Sequence, residues 1–243
     1  MTDSYFTLTE NKMIAKGTYL SVLEGDTSDI TASGQFVNIK LDGFYLRRPI
    51  SVCNVEGNLL TIIYKAVGAG TEKMATTDVG AKWLVLTGLG NGYDLTKSGE
   101  CPLLIGGGAG VPPMYYLARK LVAEGKTPTV ILGFGTADEV FYKEEFEALG
   151  LKVLVTTVDG SYGIKGFVTD AMAELDYTYF YTCGPEPMLK AIYDKTSTSG
   201  QFSFEERMGC GFGACMGCTC KTKYGNKRIC RDGPVLEKEE IIW

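Results

Sequence analysis

Along the first part of the chain, apolar and polar side chains alternate over short runs. Gln35-Phe36-Val37-Asn38-Ile39-Lys40-Leu41 and Leu59-Leu60-Thr61-Ile62-Ile63-Tyr64 show the pattern, and Gly, Asn and Asp turns separate such runs. A period of two sends successive side chains to opposite faces of a strand, so residues 1–97 predict an antiparallel sheet. About six strands of ordinary length fit this stretch, and closing them into a barrel removes the exposed edges. The rhythm changes at Cys101. Residues 101–105 predict a buried strand, 106–110 a glycine turn, and 111–124 a helix that stops at Gly125. Further strands over 129–134, 152–157 and 179–182 alternate with helical stretches around 142–149, 166–175 and 187–195. Strand and helix in alternation predict a doubly wound parallel sheet.

The remaining residues, 201–243, are too few for an apolar core of their own, because units of that size are normally held by a metal or by cross-links. The joints around Lys97-Ser98-Gly99 and Ser197-Thr198-Ser199-Gly200 are short polar turns. The expectation is therefore multidomain: a barrel over 1–97, an α/β domain over 98–200 and a small C-terminal domain over 201–243. A length of 243 residues with 45% apolar content is enough for two cores and a tail.

Charge and composition narrow the chemistry. A net charge of -5 offers no basic field for nucleic acid or an anionic membrane surface, so neither partner is expected. The N-terminal residues contain no apolar run of signal-peptide length and no stretch is long enough to cross a bilayer, which predicts a cytoplasmic protein. The chain contains no histidine, which removes Ser-His-Asp and Cys-His nucleophile systems, His-ligated zinc and Rieske centres. No catalytic side chain stands out, and the chemistry is expected to come from bound cofactors.

The cysteines carry the most specific signal. Cys210, Cys215, Cys218 and Cys230 follow the C-x4-C-x2-C…C spacing of plant-type [2Fe-2S] sites. Gly211, Gly213 and Gly217 let the backbone wrap closely around a cluster, where freed amides can point at sulfur. Zinc on four thiolates is the alternative, although its usual form is two C-x2-C pairs. Cys220 stands two residues past Cys218 and can in principle replace Cys218 or Cys230. It is expected to lie outside the ligand set.

Two weaker motifs stand upstream. Arg48-Pro49-Ile50-Ser51 joins a planar cation, a rigid residue and a hydroxyl at a strand end, and guanidinium pairs well with phosphate. Tyr64-Lys65 and Gly68-Ala69-Gly70-Thr71 lead into a predicted helix start with free amides. Gly106-Gly107-Gly108-Ala109-Gly110-Val111-Pro112-Pro113 is a turn between strand and helix that a pyrophosphate suits. It departs from G-x-G-x-x-G, because Val111 takes the third glycine position. Asp138 and Glu139 follow the second strand without an arginine for a 2′-phosphate, which favours NAD over NADP.

Taken in order, R-P-x-S, G-x-G-T, the glycine turn and Cys183-Gly184-Pro185 resemble the ferredoxin-NADP reductase superfamily. With Glu206-Arg207-Met208-Gly209-Cys210 and the cysteine loop added, essentially the whole chain resembles the electron-transfer subunits of dihydroorotate dehydrogenase B within it. The resemblance implies FAD on the barrel, with Arg48, Ser51, Gly70 and Thr71 near its phosphates, Ile63, Tyr64 and Lys65 along the flavin or ribityl, and Pro49 and Ile50 also among the FAD-binding residues. It implies NAD on Gly107, Gly108, Gly110, Val111 and Pro112, with Cys183, Gly184 and Pro185 at the nicotinamide. It also implies an FMN-containing dihydroorotate dehydrogenase catalytic subunit of type B as partner, in a heterotetramer of two of each chain, serving pyrimidine biosynthesis. Electrons then pass from the partner's FMN through the [2Fe-2S] cluster and FAD to NAD+. Rival expectations are a bifurcating NADH-dependent ferredoxin:NADP oxidoreductase subunit, which often has aspartate at the first ligand position, and a zinc-containing nucleotide-binding module. The superfamily's terminal aromatic over the flavin is not expected of Trp243.

Overall fold

The computed structural model describes residues 1–243. Strands β1 (Asp3–Ala15), β2 (Thr18–Glu24), β3 (Phe36–Lys40), β4 (Arg48–Glu56), β5 (Leu59–Lys65) and β6 (Lys82–Leu89) form a closed barrel in the order β1-β2-β5-β4-β3-β6. Closure comes from β1 pairing with β6, Asp3 opposite Leu86 through Thr7 opposite Lys82. The period-two alternation explains the interior: Val37 and Ile39 of β3 and Leu60 and Ile62 of β5 pack there with Phe6, Leu8 and Leu23. Helix α1 (Ala69–Ala75) crosses between β5 and β6.

Beyond the barrel, β7 (Pro102–Gly107), α2 (Val111–Ala123), β8 (Thr129–Phe134), α3 (Lys143–Ala148), β9 (Val153–Thr157), β10 (Ile164–Lys165), α4 (Val168–Met172), β11 (Tyr179–Cys183) and α5 (Glu186–Lys195) alternate as expected. They are followed by β12 (Gly200–Ser203), the hairpin β13 (Thr219–Thr222) and β14 (Gly225–Arg228), α6 (Ile229–Asp232) and β15 (Val235–Glu237). The main sheet runs β10-β9-β8-β7-β11-β12-β15. All its pairs are parallel except β12 with β15.

Two cores pack on opposite faces of this sheet. One joins α2 to β7 and β8 and continues into the barrel through Leu20, Cys53 and Ile63. The other takes Leu103, Ile105 and Phe180 from the sheet and Leu189 and Ile192 from α5, together with Cys218, Ile229, Cys230, Leu236 and Ile241. The C-terminal residues thus share the sheet's core, and β12 and β15 extend the sheet past residue 200. Apolar burial contributes to holding this segment, in addition to any cluster, because a strand added to an existing sheet needs no core of its own. No helix is long and apolar enough to cross a membrane.

Candidate cofactor and cluster sites

The loop after β12, which carries Cys210, Cys215 and Cys218, meets Cys230 of α6, and the four motif cysteines come together as two pairs. The thiol of Cys210 lies beside that of Cys215, and the thiol of Cys230 beside that of Cys218. No three His, Cys, Asp or Glu side chains in the molecule close on a single-ion position. Two pairs of thiolates are what two bridged irons require. Backbone amides aim at the sulfurs: Ala214 N–H donates to Cys210 Sγ at 3.2 Å, Cys215 N–H to Cys210 Sγ at 3.4 Å and Gly217 N–H to Cys215 Sγ at 3.5 Å. The Cys230 N–H donates to Cys218 Sγ at 3.4 Å. Gly211 and Gly213 sit at φ +81° and +89°, where an L side chain is strained, which is what lets the loop turn its amides inward.

Electrostatics follow the geometry. Burial disfavours the Cys210 thiolate, but the amides of Cys215, Phe212 and Ala214 and the Cys215 thiol outweigh it and lower the pKa to about 6. Burial and the neighbouring Cys218 push the Cys230 thiol up to about 12. The donor set, its pairing and its amide shell fit a [2Fe-2S] cluster. Cys220 stands apart on β13, lining a separate cavity of about 310 Å³ with Glu205, Glu206 and Trp243.

A second cavity, of about 380 Å³, opens on the barrel wall where β3, β4 and β5 face the sheet. Pro49, Ile50, Ser51, Ile63, Tyr64, Lys65 and Thr71, all expected at a flavin, line it. Arg48 lies alongside α1: its guanidinium stacks 4.8 Å from the Phe44 ring, and a Cβ on Gly70 would overlap it. Arg47 is bound to Asp3 through two bonds of 2.8 Å, whereas Arg48 has no carboxylate partner and bonds only backbone carbonyls. The free guanidinium is therefore the one suited to a phosphate. Sequence reasoning missed the opposite wall: Ser203, Phe204, Glu205, Glu206 and Met208 come from the segment between β12 and Cys210. Only β12, a short strand after polar turns, could have signalled this. Protein atoms crowd the Glu205 carboxyl and raise its pKa by desolvation, although the open cavities leave its surface accessible.

Another cavity, about 590 Å³, lies beyond the C-terminal ends of β7, β8 and β9, where ligands bind in open α/β sheets. Gly107, Gly108 and Pro185 line it, joined by residues no motif indicated, among them Gly133, Phe134, Thr156 and Met188. The Thr156 hydroxyl is buried there without a partner. At Gly108 nothing stands within 4 Å of a Cβ position, so the cavity floor is open. These features fit a dinucleotide.

The other residues expected here lie elsewhere. Val111 and Pro112 are buried in the first turn of α2 and line neither cavity. Apolar packing against the sheet claims them, because the helix starts directly over its core. Gly110 is a contact glycine, since a Cβ there would overlap the Cys183 carbonyl. Cys183 faces the barrel cavity and Gly184 the third cavity, so the nicotinamide triplet divides among three spaces. Burial raises the Cys183 thiol to about 12, so it is neutral. The acidic residues after β8 are committed to the barrel: Glu139 pairs with Lys65 at 3.0 Å and Asp138 with Lys16 at 2.9 Å. Lys65 lines both large cavities and marks the passage between them. Trp243 packs on Tyr193 and on Phe204 of the cavity wall and does not itself line the barrel cavity.

Comparison with known proteins agrees with this geometry. Residues 205–242 match the family model described as the iron-sulfur cluster binding domain of dihydroorotate dehydrogenase B, and residues 104–194 match the oxidoreductase NAD-binding domain. The chain is 46% identical over 252 residues to the electron transfer subunit of dihydroorotate dehydrogenase B (NAD(+)) of Fusobacterium nucleatum, covering 97% of this chain and 96% of that protein. The corresponding protein of Shouchella clausii is 44% identical over 251 residues, with the same coverage of 97% and 96%. Among solved structures, one described as the NADH-dependent reduced ferredoxin-NADP oxidoreductase of flavin-based electron bifurcation superposes with a TM-score of 0.90 at 29% identity, over 99% of this chain and 90% of that one. Phthalate dioxygenase reductase shares the fold at a TM-score of 0.70 and 19% identity, over 97% of this chain and 76% of that one.

Proposed function

The chain belongs to the family of electron transfer subunits of NAD-dependent dihydroorotate dehydrogenase B; from that premise we propose that its barrel cavity takes FAD, its sheet cavity NAD and its four paired thiolates a [2Fe-2S] cluster. Residues 1–97, 98–200 and 201–243 then serve as the flavin, nicotinamide and cluster segments. Held by the barrel residues beside the cysteine loop, a flavin would supply the chemistry that couples two-electron exchange with a nicotinamide on the sheet to one-electron exchange with a cluster on Cys210, Cys215, Cys218 and Cys230, and through it with a catalytic partner.

The chain's own residues bind, orient and exclude water. Arg48, free of any carboxylate, neutralises phosphate beside Gly70, where only a glycine leaves room for the guanidinium. Thr71 accepts the Val67 and Gly68 amides at 3.0 and 3.2 Å and so shapes the turn that follows β5. Ile50 and Ile63 supply apolar wall and Ser51 supplies a hydroxyl, while the Tyr64 hydroxyl accepts from the buried Ser21. Gly107 and Gly108 let a dinucleotide lie against the backbone, and the unpartnered Thr156 hydroxyl gives it a donor. The amides around Cys210 and Cys215 stabilise negative charge on the sulfurs. No side-chain acid or base is required for hydride transfer.

One observation carries this reading: the segment that walls the barrel cavity, Ser203 to Met208, runs two residues later into Cys210. The flavin space and the cluster loop are thereby neighbours in chain and in space. An FMN-containing catalytic subunit, in a complex of two of each chain within the cytoplasm, completes the route to dihydroorotate. The likeness to the bifurcating oxidoreductase is one of fold at lower identity, and Cys210 occupies the position where that reading expects aspartate.

Co-expression with the FMN subunit and measurement of flavin, iron and stoichiometry tests the assignment. The expected complex holds equal FMN and FAD and two irons per cluster chain. The single chain is expected to oxidise NADH with artificial acceptors and to form no orotate. A colourless chain that holds zinc, or orotate formation by the pure single chain, overturns the proposal.

A further inference from the structure

Within β3 the alternation places Val37 and Ile39 in the barrel core and turns Asn38 outward, to the side a polar residue normally gives to water. Asn38 is nevertheless 1% exposed. The cluster loop covers it: Asn38 Nδ2 donates to the Cys210 carbonyl at 3.2 Å, and a Cβ on Gly211 would overlap that same nitrogen. On the strand side, Asn38 stands opposite Pro49, with Val37 opposite Ile50 and Phe36 opposite Ser51. Phe36, Pro49, Ile50 and Ser51 all line the barrel cavity. One side-chain hydrogen bond therefore joins the cavity wall to the segment carrying the first cysteine.

Stability of the barrel does not account for an amide here. Asn38 Oδ1 is buried without a partner, and an unsatisfied buried acceptor lowers stability, whereas leucine would fill an outward buried site without that cost. The donor and its acceptor are what the residue adds. The orientation of the amide follows from the same contact, since turning it over would set oxygen against the Cys210 carbonyl oxygen.

We infer that Asn38 is a positioning residue for electron transfer: it pins the Cys210 loop to the flavin wall and so sets the closeness of the two redox sites. The inference rests on the assignment of FAD and cluster proposed above. Tunnelling between redox centres falls steeply with separation and with loss of bonded contact, so a loop released from Asn38 slows the transfer without touching the nicotinamide side.

The test uses the full chain carrying flavin and iron, as Asn38→Leu and as the near-isosteric Asn38→Asp, which keeps the size and loses the donor. Anaerobic mixing with NADH delivers a hydride, two electrons and a proton, to the flavin, and one of those electrons passes on to the cluster. Flavin and cluster bleaching are followed separately. Both variants are expected to reduce flavin at the wild-type rate and the cluster about five-fold more slowly, the population ratio that one neutral hydrogen bond is worth. Backbone hydrogen exchange over residues 209–213 is expected to quicken, and this reads the loop even where iron content falls. Wild-type cluster reduction or unchanged exchange in the variants overturns the role of Asn38. A wild-type chain without flavin or iron instead overturns the assignment on which it rests.

Discussion

Cys210 and Cys183 show how position decides the chemistry of one side chain. Amide donors hold the Cys210 thiol at about 6, while burial holds Cys183 at about 12. After removal of iron, iodoacetamide at pH 7 is expected to modify Cys210 rapidly and to leave Cys183 and Cys53 intact, since thiolate is the nucleophile. Peptide mapping of the labelled chain checks this. The glycines differ in the same way. Gly110→Ala sets a methyl against the Cys183 carbonyl, and the overpacking is expected to cost about 1–3 kcal/mol in urea unfolding. Gly70→Ala collides with the Arg48 guanidinium and is expected to weaken FAD retention in a dialysis assay, leaving iron content unchanged.

At the scale of elements, the loop after β8 illustrates a motif diverted from its expected use. Glu139 and Asp138 reach lysines of the barrel and tie it to the sheet beside the passage marked by Lys65. The hydrogen bond from Lys65 lowers the Glu139 pKa below its ordinary 4.5, with burial opposing it. A carboxyl lowered on folding adds stability above the unfolded value, and that part is lost as pH falls through the folded one. Glu139→Gln is therefore expected to lower the Tm slightly at pH 7, by the equivalent of at most about 1 kcal/mol for so exposed a pair. The difference from wild type is expected to vanish as pH drops below 4.5. Thermal scans across pH check the sign.

For the whole molecule, the C-terminal segment serves two structures at once. It carries the cluster cysteines, and through β12 and β15 it completes the sheet and covers Phe202 and Ile229 with Leu236 and Ile241. Leu236→Ala removes buried volume from that shared core and is expected to cost about 2–5 kcal/mol. Because the core is shared, the nicotinamide segment is expected to lose stability along with the cluster loop, in a single denaturation transition followed by iron absorbance and far-UV circular dichroism. Independent transitions would show that the segment folds alone.

Local periodicity and spacing were sufficient for much of this protein. Alternation in 35–41 and 59–64 specified barrel strands, the strand-helix rhythm after Cys101 specified the parallel sheet, and C-x4-C-x2-C…C singled out four cysteines that the fold brings together as two pairs, because each signal depends mostly on neighbours within a few residues. Tertiary structure alone decided which surfaces meet. It turned Val111 and Pro112 into core, bound Asp138 and Glu139 to lysines, supplied Ser203 to Met208 as a cavity wall and buried Asn38 beneath the cluster loop. These contacts join residues tens to more than a hundred positions apart, and no local pattern encodes the packing that brings them together.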